Sequence, residues 1–100
     1  MSQEQPQGEL EVIQKVELPK RFKVILLNDD FTPMNFVTFI LQKFFSKSIE
    51  EAEKIMLDVH KQGSGVAGVY TREVAEMKVH QVNGVSKQNE YPLKTIMEAE

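Results

Sequence analysis

The sequence predicts an α/β fold (an α+β sandwich): a three-stranded antiparallel sheet covered by three helices, in the order β-α-α-β-α-β. Three observations predict it. A β-branched apolar run opens at Arg21 and stops at an Asn-Asp-Asp turn. Two segments with apolar residues at helical spacing follow, the second introduced by a capping-box pattern. Two more short apolar runs then flank a third helical stripe, so helices alternate with strands as a layered sheet requires.

Residues 1 to 20 are rich in Gln, Glu and Pro with scattered aliphatics, too few to offset the entropy of ordering, and are expected to form a disordered tail before a core domain over 21–100. The first strand covers Arg21-Phe22-Lys23-Val24-Ile25-Leu26-Leu27 and ends at Asn28-Asp29-Asp30. Thr32 and Pro33 read as N-cap and first helical residue, because proline lacks a donor only where the helix has no use for one. Phe36, Ile40 and Phe44, beside Val37, Leu41 and Phe45, carry that helix to about residue 45. Ser48 and Glu51 form the capping box of a second helix with the stripe Ile49, Ala52, Ile55, Met56 and Val59, ended by Gly63 and Gly65. Val66 to Tyr70 is a short strand, and Thr71 caps a third helix whose Ala75, Val79 and Val82 share a face, with Gly84 weakening its last turn. Tyr91 to Met97 is the final strand, with Pro92 at an edge or at its start.

One hundred residues suffice for a single core and one domain. No apolar run reaches the ~20 residues of a membrane helix. The start Met1-Ser2-Gln3-Glu4-Gln5 lacks the features of a secretory signal, so a cytoplasmic location is expected. With no cysteine, disulfides, zinc-thiolate sites and a thiol nucleophile are excluded. A net charge of -3, from 12 basic and 15 acidic residues, offers no footprint for nucleic acid, so protein or peptide partners are expected.

The polar residues that could carry chemistry are few. Asn28-Asp29-Asp30 sits where a strand gives way to a loop and helix, a usual address for binding residues, although Asn and Asp also serve plain turns there. If these oxygens bind a cation, a protonated α-amino group suits them, with three donors and one positive charge. His60, at the end of the second helix, is either a helix-end residue stabilised by the dipole or one more acceptor for the same amine. Thr32, Met34, Val37, Met56 and Val59 flank these groups; each taken singly is core, and methionine also makes an adaptable pocket wall. Asp29, Asp30 and His60 lack the ligand spacing of a metal site. No nucleophile elbow or phosphate loop is present, so no enzyme and no cofactor are expected.

The blocks Lys23 to Met34, Ile55 to His60 and Gly68 to Glu76, taken together, closely resemble the ClpS family of Clp protease adaptors, over a span from about Arg21 to the carboxyl end. The resemblance implies a domain similar to the carboxyl-terminal domain of the ribosomal stalk protein. It implies an adaptor, expected to be monomeric, that binds proteins beginning with Leu, Phe, Tyr or Trp and delivers them to the unfoldase ClpA or ClpC. By the same resemblance the α-amino group is held by Asn28, Asp30 and His60, with Asp29 adjoining. The side-chain pocket is expected from Leu26, Leu27, Thr32, Met34, Val37, Met56, Val59 and Leu93, and the unfoldase contact from Glu73 and Lys78. Ala67, where relatives often carry cysteine, and Lys94, where a leucine is usual, depart from the pattern and bear only on packing near the last strand.

Overall fold

The computed structural model describes residues 20–100; apart from Lys20, the expected tail lies outside the described residues. The elements are β1 (Arg21–Leu27), α1 (Met34–Phe45), α2 (Ile49–Gln62), β2 (Ser64–Thr71), α3 (Arg72–Gln88) and β3 (Lys94–Ala99). This is the expected order. β1 lies between β2 and β3 and runs antiparallel to both.

The pleat of β1 separates its two sides. Phe22, Val24 and Leu26 join the core with Ile40, Leu41, Phe45, Ala52, Ala75 and Val82 from the helices. Full burial of a Leu or Ile contributes about 1.5 to 3 kcal/mol each, so Leu26, Ile40 and Leu41, all wholly buried, are main contributors. On the opposite face Ile25 pairs with Val66 and with Ile96.

Local chemistry explains most element ends. Ser48 Oγ accepts from Glu51 N at 3.1 Å and Glu51 Oε1 accepts from Ser48 N at 2.9 Å, which completes the capping box of α2. Gly63 ends α2 with φ 91°, a left-handed turn that favours glycine.

Four boundaries differ from the sequence expectation. α1 starts at Met34, and Pro33 is its extended N-cap with ψ 145°, because the Thr32 hydroxyl is used elsewhere, as a donor to Asp29. Gly65 belongs to β2, which is longer than expected. It accommodates Ala67 as an extra residue: Val24 pairs with Gly68 and Ile25 with Val66. Thr71 does occupy the N-cap of α3, but without a side-chain bond, and α3 continues past Gly84 to Gln88. β3 begins at Lys94 instead of Tyr91: Glu90 turns the chain with φ 61°, Tyr91 N donates back to Ser86 O, and Pro92 has no N–H to give a ladder.

β3 is an edge strand, and the side chain of Asn83 from α3 closes part of that edge. Asn83 Oδ1 accepts from Thr95 N at 2.9 Å, and Asn83 Nδ2 donates to Thr95 O at 3.0 Å. The amide substitutes for a neighbouring strand at one residue, blocking further pairing there.

Candidate functional site

The site is built where β1 ends. Asn28 N donates to Gly63 O at 2.9 Å, so the end of β1 is fastened to the turn that closes α2. Asp29 then organises the loop. Its Oδ1 accepts from Phe31 N at 2.8 Å and Thr32 N at 2.7 Å, while its Oδ2 accepts from the Thr32 hydroxyl at 2.7 Å. Both oxygens are therefore engaged within the loop. Among the described residues, the side chains of Asn28, Asp30 and His60 make no hydrogen bond, and all three are exposed. They are the acceptors still available to a ligand.

Burial raises the Asp29 carboxyl, but the Thr32 hydroxyl and the backbone N–H groups of Phe31 and Thr32 outweigh it and hold the group below its ordinary value of 3.8. A depressed carboxyl stabilises the fold above its unfolded pKa and loses that contribution as pH falls through the folded value. The loop is thus expected to stay ordered through pH 5 and loosen only in stronger acid. In an NMR titration the Phe31 and Thr32 amide signals should follow one carboxyl midpoint below 3.8; a midpoint above that value contradicts the bonding described.

A hollow of about 370 Å³ opens beside this loop, of the size of a small-ligand cleft. Asn28, Asp29, Asp30 and His60 form its polar side, while Val37, Val59, Met34 and Met56 form its apolar side. Val37 and Val59 are buried and stiff, a fixed back wall; Met34 is 47% exposed and Met56 half-buried, unbranched chains that can move. A convergent set of oxygens next to an apolar recess suits a ligand with an ammonium and a hydrocarbon chain on neighbouring atoms.

The structure gathers Thr32, Met34, Val37, Met56 and Val59 at the hollow. Leu26, Leu27 and Leu93 do not line it. Leu26 and Leu93 lie in the core cluster that also holds Val37 and Val59, and the pleat turns Leu27 to the other face of the sheet. Phe31, 80% exposed, and Pro33 do line it. Their position inside the Asn-Asp-Asp-Phe-Thr-Pro loop was the available signal.

Glu73 is exposed in the first turn of α3, at the opposite end of the sheet from Asn28. Lys78 is half-buried, its ammonium donating to Phe44 O near the end of α1 and lying 5.8 Å from the ring centres of both Phe45 and Tyr70. It fastens α3 to α1 by a charge-assisted bond and a cation–π contact with Phe45, and to β2 by a second one with Tyr70. No helix among the described residues is long and apolar enough to cross a membrane.

The chain is similar to known proteins in sequence and in fold. The model of a family described as ATP-dependent Clp protease adaptor protein ClpS matches residues 17–96. An ATP-dependent Clp protease adapter protein ClpS from Bdellovibrio bacteriovorus is 56% identical over 97 residues, covering 95% of this chain and 85% of the relative. The protein of the same description from Bartonella quintana is 56% identical over 84 residues, covering 84% of this chain and 76% of its own. Among solved structures, Agrobacterium tumefaciens ClpS2 bound to L-phenylalaninamide is similar with a TM-score of 0.81 and 38% identity, over 83% of this chain and all of that one.

Proposed function

This chain belongs to the family of ATP-dependent Clp protease adaptor proteins, which act without catalysis of their own, and from that premise we propose that its hollow holds the free N-terminal residue of a protein destined for degradation. The single observation that carries the reading is the set of unengaged acceptors Asn28, Asp30 and His60 around an apolar recess. The α-amino group is held through charge-assisted bonds to the Asp30 carboxylate and the Asn28 amide oxygen, with a His60 ring nitrogen as a further acceptor. Asp29 shapes the loop and adds negative charge. The ligand in the Agrobacterium tumefaciens structure, L-phenylalaninamide, has features that suit this arrangement: a free amine, an apolar side chain and an amide in place of a carboxylate.

The first side chain, Leu, Phe, Tyr or Trp, occupies the recess between Val37, Val59 and the two methionines. An internal residue is rejected because its amide nitrogen carries no charge and a preceding residue collides with the polar rim. A β-branched Val or Ile is rejected by crowding near Met34, an overpacking of order 1 to 3 kcal/mol. In an anisotropy panel, Leu- and Phe-initiated peptides should bind at least about fivefold tighter than Val- or Ile-initiated ones, and Met34→Ala should narrow that gap. A Met34→Ala protein as selective as the parent removes Met34 from the mechanism.

Delivery goes to a ClpA- or ClpC-type unfoldase, with Glu73 as a contact and Lys78 supporting the shape of α3 beside it. β1 has seven residues, so at ~3.3 Å each Glu73 and the amine site are separated by roughly 20 Å. That separation supports simultaneous engagement of cargo at one end of the sheet and unfoldase at the other.

A further inference from the structure

We propose that the groove between α1 and α2 contains a second subsite that takes the second or third residue of the bound polypeptide and favours lysine or arginine there; this inference rests on the reading of the amine pocket given above. A separate hollow of about 230 Å³ is lined by Met34, Asn35, Thr38, Glu53 and Met56. Met34 and Met56 are walls of both hollows, so the two recesses adjoin across a pair of thioether side chains. A polypeptide whose first residue fills the amine pocket must continue outward, and an extended chain advances about 3.3 Å per residue, which brings its next two residues within reach of the adjoining recess.

The chemistry of the second recess differs from that of the first. Glu53 lies three residues before Met56 on α2, just under one turn or about 4.5 Å of rise further along the groove. Its side chain is exposed, and among the described residues it takes part in no ion pair; the pair found there joins Arg21 to Glu100. The Thr38 hydroxyl already donates to Asn35 O at 3.0 Å, which leaves the Glu53 carboxylate and the Asn35 amide as the groups free to meet a ligand. A carboxylate at the edge of a shallow, partly apolar trough fits a long cationic side chain, whose methylenes lie along Met34 and Met56 while its head reaches the charge.

The test compares free-amine peptides that begin with Leu and carry Lys or Gln at position two or three, together with their acetylated forms, on the parent protein and on Glu53→Gln. Lys is expected to bind about two- to fivefold tighter than Gln, as an exposed ion pair allows. Glu53→Gln is expected to remove this advantage and leave the Gln peptide's affinity unchanged. A Lys advantage that persists in Glu53→Gln, or that is missing in the parent, overturns the subsite while amine-dependent binding stands. Acetylated peptides that bind as well as free ones overturn the amine pocket itself, and the subsite with it.

Discussion

Asp30→Ala is expected to weaken binding of a Leu-initiated peptide by at least about tenfold with the fold intact. A hydrogen bond to a charged group is worth roughly 1.5 to 3 kcal/mol, and every 1.4 kcal/mol is about tenfold in affinity. Asp30 is exposed and makes no bond within the described residues, so its removal leaves the loop standing on Asp29, whose three accepted bonds are untouched. Calorimetric titration measures the loss, and an unchanged thermal midpoint attributes it to the ligand. Full affinity in Asp30→Ala contradicts the role assigned to this carboxylate. Asp29→Ala is a different experiment, because it dismantles the turn and lowers stability and binding together.

Gly65→Val is expected to damage stability and binding at once. A Cβ at Gly65 falls 2.8 Å from Val59 Cγ2 and 3.2 Å from the Ile55 carbonyl oxygen. Neither neighbour yields easily: Val59 is a buried, β-branched side chain and the carbonyl belongs to the helix backbone. The close approach of β2 to α2 therefore requires glycine, and the two further carbons of valine enlarge the conflict. Overpacking of this kind costs about 1 to 3 kcal/mol. The strain falls on the stretch of α2 that presents Val59 and His60, so peptide affinity should fall in the same variant. Urea unfolding and peptide titration measure the two effects, and parental values of both contradict the tight contact.

The sequence made much of this molecule legible, for physical reasons that can be named. β1, the capping box of α2 and the apolar rows of α1 and α2 are local patterns whose burial follows from period alone. The boundaries that moved depend on partners distant in space or on competition within a loop. The Thr32 hydroxyl could cap α1 or bond Asp29, and only the closed loop decides for Asp29. Gly84 weakens an isolated helix, yet Val82 and Ser86 on either side are buried and hold α3 through it.

The positions of Asn28-Asp29-Asp30 and His60 marked them as polar candidates, but only the family resemblance, and no local pattern, set Asp30 apart from Asp29. That division follows from the three bonds that Asp29 accepts. Leu26 and Leu93 belong to the core behind the hollow and Leu27 to the other face of the sheet, because neighbours along a strand diverge to opposite faces and a loop residue such as Leu93 has no period to place it. The internal engagement of Lys78 joins residues 34 positions apart in the chain, beyond the reach of any local pattern.

One paired measurement bears most directly on the claim that a free ammonium is the recognised group. A Leu-initiated peptide and its N-acetylated form, identical otherwise, are titrated against the protein at neutral pH. Acetylation removes the charge and two donors while leaving the leucine side chain, so the free peptide is expected to bind at least about tenfold tighter. Equal affinities would contradict the account.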